Sequence, residues 1–187
     1  MGCWAQVTRV MSDGRAESWV APTPGAGAAA SADPATLGDT PVSVDGAVRQ
    51  LLSLLVPGRD YFAILAYLPH DDAIVERLQR LRVRIRELTG AATTLGFGPR
   101  FLHSTGQLHK GGPDSGVFLQ LTADPHKDLP IPGWEYSFGT LIAAQALGDL
   151  TSLQRRGRRA LRLHFGQLEA GLDRLETLVS AAVGAAT

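Results

Sequence analysis

Residues 60–68 have the sequence DYFAILAYL, and this stretch decides the fold class. Apolar and aromatic side chains occupy both alternating sets of positions, which is typical of a strand buried on both faces of a parallel sheet. Pro69 ends the strand, Asp71 and Asp72 open a helix, and Gly90 supplies its stop. The apolar positions of that helix recur at intervals of four and three residues: Ile74, Leu78, Leu81, Ile85 and Leu88.

Strand and helix patterns continue to alternate on both sides of this unit. We expect helices over residues 44–55, 137–147 and 168–179, with Ser137 as the cap of the second helix and Asp149 as the cap of a further turn or two. We expect strands over residues 92–97, 117–122 and 161–165. This order predicts an α/β domain over residues 41–187, a three-layer sandwich with a mainly parallel sheet. Residues 1–40, rich in Ala, Gly and Pro from Ala21 to Pro34, are predicted to be a disordered tail.

Composition restricts the function classes. The chain has 187 residues with eighteen basic and eighteen acidic side chains, so no net charge favours nucleic acid or an anionic membrane as a partner. Its apolar runs are too short for a membrane span. Cys3 is the only cysteine, which provides neither a disulfide framework nor a thiolate metal site, and a reducing, cytoplasmic location is expected.

Chemistry-bearing side chains concentrate in residues 98–113, GPRFLHSTGQLHKGGP. We interpret this glycine-rich stretch as a loop at the carboxyl end of a strand, where α/β sheets bind ligands. Phe101 stands where a dinucleotide-binding motif needs its third glycine, and Lys110 lacks the flanking residues of a phosphate-binding Walker loop. Two histidines six residues apart do not make a metal site, and Ser104 lacks the setting of a nucleophile. No metal or cofactor is predicted.

The same stretch closely resembles a segment near the C-terminus of glucose-6-phosphate isomerases, particularly those fused behind a transaldolase. The resemblance extends over roughly residues 44–165 and includes residues 57–69, 117–125, 136–141, 144–149 and 156–158. It implies a sugar isomerase (SIS) domain fold and the interconversion of glucose 6-phosphate and fructose 6-phosphate, a step of glycolysis, gluconeogenesis and the pentose phosphate pathway. It also implies that Lys110 contacts the sugar at the ring-opening end.

Other candidates follow from chemistry and from closeness to Lys110 in the sequence. His109 is a second catalytic candidate, and Arg100, His103 and Gln107 are candidate contacts to the hexose phosphate. For the two histidines, hydrogen bonds that fix the segment are the preferred interpretation. For Lys110, a solvated lysine is the alternative.

The resemblance covers only part of an isomerase. The family's phosphate-binding loop, glutamate base and ring-opening histidine lie upstream of the matched part, and residues 1–40 match none of them. The chain is then a split enzyme completed by a partner chain, a domain recruited for binding or assembly, or a truncated, inactive product. Self-association into a homodimer is expected, because family members are commonly dimers and a missing half would leave apolar surface exposed.

Overall fold

A computed structural model of the chain describes residues 5–10, 16–21 and 44–184. Its strands form one six-stranded sheet in the order β2-β1-β6-β5-β3-β4. Every neighbouring pair is parallel except the β1–β2 pair. The strands are β1 (Ala5–Val10), β2 (Ala16–Ala21), β3 (Tyr61–Tyr67), β4 (Ala92–Phe97), β5 (Gly116–Ala123) and β6 (Arg159–Phe165).

Helices cover both faces of this sheet, which confirms the predicted three-layer α/β sandwich. Of the described helices, none is long and apolar enough to cross a membrane. The helices are α1 (Val44–Ser53), α2 (Asp72–Thr89), α3 (Thr105–Gly111), α4 (Phe138–Arg155) and α5 (Leu168–Gly184). The larger core joins α1, α2 and α5 to one face of the sheet, and the smaller core joins α4 and the segment after β4 to the other.

The helix boundaries follow the predicted capping residues. The Asp71 carboxylate accepts a hydrogen bond from the Ile74 amide at 2.9 Å, and the Ser137 hydroxyl accepts one from the Thr140 amide at 3.2 Å. Both side chains satisfy amides that a helix leaves unpaired at its N-terminus. Gly90 ends α2 in the left-handed conformation, with φ 66°.

Strands β1 and β2 lie within residues 1–40, for which the composition predicts a disordered tail. That prediction depends on the Ala/Gly/Pro-rich run from Ala21 to Pro34, and this run lies, after Ala21, outside the described residues. The two strands come before it and extend the sheet beyond β6.

Residues 98–113 are not a loop, which corrects the sequence prediction. They contain a 3-10 helix, Arg100–His103, followed by α3. Gly106 allows the compact packing, because a Cβ at this position would lie 3.0 Å from the Phe101 carbonyl oxygen. The segment is the crossover between two parallel strands, so it runs from the carboxyl end of β4 back to the amino end of β5.

A buried ion pair fixes the amino-terminal edge of the sheet. The Asp60 side chain is fully buried, and it accepts hydrogen bonds from the Arg59 and Arg159 guanidinium groups and from the Val56 amide. Burial alone would raise the pKa of Asp60, but these hydrogen bonds together hold it below its usual range. Arg159 also donates to the Leu54 carbonyl oxygen at 2.9 Å, which ties β6 to the end of α1.

The side of α2 away from its apolar positions carries five arginines, and this row is only partly a solvated face: Arg77, Arg80, Arg82, Arg84 and Arg86. Arg77 is largely buried and binds three carboxylates of α5, at 2.6 to 2.9 Å. Its hydrogen bond to Glu176 is the main reason that the pKa of Arg77 is raised. This contact joins α2 to α5 rather than offering a binding site for phosphate.

Candidate functional site

Lys110 forms an ion pair beneath α4. Its Nζ atom lies 2.8 Å from Oδ1 of Asp149, whose side chain is 2% exposed, whereas the Lys110 side chain is 19% exposed. Asp149 lies inside α4, so the prediction that it caps a separate helical turn is wrong. A buried carboxylate needs a cationic or hydrogen-bonding partner, and Lys110 provides one while keeping some access to solvent.

Arg158 holds the end of the helix that carries this lysine. Its guanidinium group donates to the carbonyl oxygens of Lys110 and Gly112, the former at 3.1 Å, and it forms an ion pair with Asp114 at 3.2 Å. Arg158 directly precedes β6, so Lys110 lies toward the amino-terminal edge of the sheet. The sequence prediction placed Lys110 at the carboxyl edge, and this placement is wrong because α3 carries the chain back across the sheet.

Tyr67, the last residue of β3, lies at the carboxyl edge of the sheet and interacts with Asp149. Burial, together with the charge of Asp149, raises the pKa of the Tyr67 hydroxyl. Within the described part of the chain, three buried oxygen atoms between the sheet and α4 have no hydrogen-bond partner of acceptable geometry: Tyr67 Oη, Asp149 Oδ2 and Gln120 Oε1. This layer therefore has unused hydrogen-bonding capacity.

His109 belongs to the core of this layer. It is 4% exposed, its Nδ1 lies 2.9 Å from the Tyr61 hydroxyl, and its ring packs 5.1 Å from the ring of Phe118. Burial lowers the pKa of the imidazole, so the ring is kept neutral. This geometry fits the structural interpretation of His109 and leaves little room for proton exchange with a substrate.

The other candidates from residues 98–113 are exposed. Arg100 and His103 lie on the 3-10 helix, and Gln107 lies on α3 with its Nε2 donating to the Leu102 carbonyl oxygen at 2.9 Å. They do not line the cavity described next. The residues that the sequence predicts as one site are therefore distributed along a crossover that spans both edges of the sheet.

A cavity of about 260 Å³ lies at the carboxyl edge of β3, β5 and β6, against the first turns of α4. Thr122 is the polar centre of this cavity. Its Oγ1 lies 2.9 Å from His164 Nδ1 and accepts a hydrogen bond from Arg162 Nε at 3.2 Å. The polar side chains of the lining are Tyr67, Thr122, Asp124, Arg162 and His164.

In the sequence, Arg162 and His164 are recognisable only as polar positions that alternate with apolar ones. A signal was available, because polar side chains at the ends of two adjacent parallel strands converge on one edge. Within the residues that the structure describes, no group of three or more His, Cys, Asp or Glu side chains is placed to hold a metal ion.

Comparison with known proteins supports the fold. No family model and no curated protein matches the chain. Among solved structures, a hypothetical protein from Thermus thermophilus aligns with a TM-score of 0.65 and 17% sequence identity, over 76% of this chain. The chain spans 39% of the length of that protein. This likeness shows that the chain has the same α/β fold as part of a larger protein.

Proposed function

We propose that the chain is the C-terminal part of an aldose–ketose isomerase that interconverts glucose 6-phosphate and fructose 6-phosphate, completed by a second subdomain or a partner chain. The observation that carries the proposal is the ion pair between Lys110 and Asp149. The segment that resembles glucose-6-phosphate isomerases contains a lysine that a buried carboxylate orients and that stays partly accessible. A solvated lysine would have no such partner.

The reaction needs ring opening and then proton transfer. The C2 proton of the open aldose moves to C1 through a cis-enediol, and the O2 proton moves to O1. We assign Lys110 to the ring-opening end, where its ammonium group would donate a hydrogen bond to a sugar oxygen. The base for C2 comes from a part of the enzyme outside the matched segment. Arg100, His103 and Gln107 remain candidate contacts to the hexose phosphate, and His109 is left out because it is buried.

The need for a second subdomain is supported by the exposed apolar side chains of the α4 layer. Apart from Val56, every exposed large apolar side chain in the described residues lies on α3, on α4 or on the connection before α4. Such clustering is typical of a surface that another structure covers. These side chains, which we call the apolar layer, are Leu108, Leu129, Trp134, Tyr136, Phe138, Ile142 and Leu147.

A non-catalytic interaction module is the second candidate, and the apolar layer is the observation that favours it. In that case the layer docks a partner and Lys110 only neutralises Asp149. A homodimer formed through the same layer is a further form of this candidate. In either case the single cysteine fits a chain that works in the reducing cytoplasm.

The test is conversion of glucose 6-phosphate to fructose 6-phosphate in a coupled assay. The purified chain is measured alone and with the N-terminal subdomain of a glucose-6-phosphate isomerase added in trans, and binding of that subdomain is followed by sedimentation. We expect turnover only in the mixture. Lys110→Arg, which keeps the charge beside Asp149, should lower kcat by about 100-fold, the usual loss when one electrostatic contact to the reacting group is misplaced.

Lys127→Arg is the matched control, because Lys127 is exposed and is the only other lysine of the chain. It should leave turnover unchanged. A complex without turnover would favour the interaction module. Turnover that Lys110→Arg leaves intact would refute the role assigned to Lys110.

A further inference from the structure

Arg162 differs from the other largely buried arginines of the domain. Arg77, Arg158 and Arg159 each form an ion pair with at least one carboxylate. Arg162 is half-buried and donates Nε to a hydroxyl, and no carboxylate of the described side chains lies within ion-pair distance of it. Burial lowers the pKa of its guanidinium group, the sign of a charge that has lost water without gaining a counter-charge.

The two terminal nitrogens of Arg162 are available to a ligand. They make no hydrogen bond within the described part of the chain. They are also absent from the side-chain atoms there that are fully buried without a partner, so they are not completely enclosed. Arg162 is one of the residues that line the cavity at the carboxyl edge. A guanidinium group with two free nitrogens can bind the two oxygens of a carboxylate at once.

Apart from the neutral Tyr67 hydroxyl, which has no hydrogen-bond partner among the described residues, the other polar groups of the cavity are already engaged. Asp124 accepts from His164 Nε2 at 3.1 Å, and its side chain is 59% exposed, so water screens its charge. The first turn of α4 does not compete for an anion, because the Asp128 carboxylate already accepts hydrogen bonds from the Gly139 amide and the Ser137 hydroxyl. Arg162 therefore provides the uncompensated positive charge of the cavity.

Most of the remaining wall is apolar. Such a surface favours a ligand with a hydrophobic body and a single polar anchor rather than a hydroxylated sugar. One unpaired cation also matches a monoanion better than a dianion. The apolar part of the wall includes Leu68, Pro69, Pro125, Ile142, Ala143 and Ala146.

We propose that this cavity is a binding site for a small monocarboxylate with a short apolar body, anchored by Arg162 and separate from the Lys110–Asp149 pair. The site goes beyond the proposed isomerase function and does not depend on it. Thr122 Oγ1 accepts the hydrogen bond from Nε of the guanidinium group, and the carboxylate binds the two terminal nitrogens.

The test uses butyrate as the probe, titrated into the full chain at constant ionic strength and followed by amide NMR shifts. We expect saturable shifts at Thr122, Ala143 and Arg162. Butyramide, which has the same size and no charge, and inorganic phosphate should each bind at least about tenfold more weakly. Arg162→Gln should weaken butyrate binding at least about tenfold, and Arg162→Lys should give an intermediate affinity because it keeps the charge and loses the paired donors.

Two control variants show whether butyrate binding depends on this cavity alone. Arg156→Gln removes an exposed arginine at the end of α4 and should leave butyrate affinity within about twofold, since a surface charge outside the cavity is screened by solvent. Lys110→Arg should also leave butyrate affinity within about twofold, whether or not isomerase activity is found. The two proposals can therefore fail independently. Equal binding of butyrate and butyramide, or unchanged binding by a folded Arg162→Gln variant, would overturn the proposed site.

Discussion

Lys110 Nζ and Asp149 Oδ1 lie 2.8 Å apart, joining a short crossover helix to the long helix α4 on the same face of the sheet. Because the carboxylate is buried and the lysine is partly accessible, the two residues do not contribute equally to stability. Asp149 depends on Lys110 for its neutralisation, whereas Lys110 can be solvated without Asp149.

We expect Lys110→Met to lower the free energy of unfolding by about 3 kcal/mol, because it leaves a buried carboxylate without its cation. The double variant Lys110→Met with Asp149→Leu should recover most of this loss, since no buried charge remains. Urea unfolding of the wild type, both single variants and the double variant measures the coupling energy. Additive effects of the two substitutions would show that the pair contributes nothing to stability.

His109 gives a pH dependence of known sign. Its pKa is lowered in the folded chain, chiefly by burial, whereas the pKa of an unfolded histidine is about 6.5. Below that pH the unfolded state takes up a proton that the folded state does not, so this residue lowers the stability as the pH falls. The contribution of neutral His109 to the free energy of unfolding is fully present only above about pH 6.5.

His109→Leu removes the titration and keeps an apolar side chain in the core. The free energy of unfolding of the variant, measured by urea at about pH 7.5 and about pH 5.5, on either side of the unfolded pKa, should fall less with pH than that of the wild type. At the higher pH the variant should be less stable by about 1 kcal/mol, since the Tyr61 hydroxyl loses its partner. His103→Leu, an exposed substitution, should change stability by less than about 0.5 kcal/mol at that pH. A parallel pH response in His109→Leu would contradict the assignment of His109 to the core.

The pKa of Asp60, like that of His109, is lowered in the folded chain, and its effect on stability lies at lower pH. Its carboxylate is stabilised in the fold, so its contribution is present above the unfolded pKa of about 3.9 and is lost as the pH falls below that value. Asp60→Asn leaves Arg159 buried without its counter-charge, and we expect a loss of about 3 kcal/mol at neutral pH. Unfolding measured at about pH 7 and about pH 3 should show a smaller difference between variant and wild type at the lower pH. An equal difference at both pH values would contradict this account.

The sequence predicted the regular elements well, because their signals are local. The continuous apolar run in residues 60–68 and the four-and-three spacing of Ile74, Leu78 and Leu81 need no knowledge of the rest of the chain. The connection after β4 differs from its sequence prediction, because its glycines suggest a loop whereas Gly106 allows close packing onto Phe101. The sequence suggests a cap at Asp149, because the ion-pair partner of this residue, Lys110, lies far earlier in the chain.

The cavity was missed for a related reason. Thr122 and Arg162 lie on different strands, and only the order of the sheet makes them neighbours. A single sequence does not give strand order. The residue pattern shows that Arg162 is a polar position in a buried strand, but it does not show that no carboxylate of the described side chains lies within ion-pair distance of it.

Gly98 connects the cavity to the Lys110–Asp149 pair through Tyr67. A Cβ at Gly98 would lie 2.5 Å from Cε1 of the Tyr67 ring, so Gly98→Ala must displace this ring. We expect a loss of about 1–3 kcal/mol in the free energy of unfolding, the usual cost of overpacking a core. Because Tyr67 lines the cavity, butyrate affinity should fall as well.

Gly148→Ala is the matched control, since this glycine lies inside α4 and a Cβ there meets no atom within 4 Å. Alanine is the better helix former, so this variant should gain about 0.5–1 kcal/mol and keep its butyrate affinity. Thermal unfolding and butyrate titration of both variants test the connection. If Gly98→Ala lost stability while binding butyrate as the wild type does, Tyr67 would be part of the core without shaping the cavity, and the anchor at Arg162 would act without it.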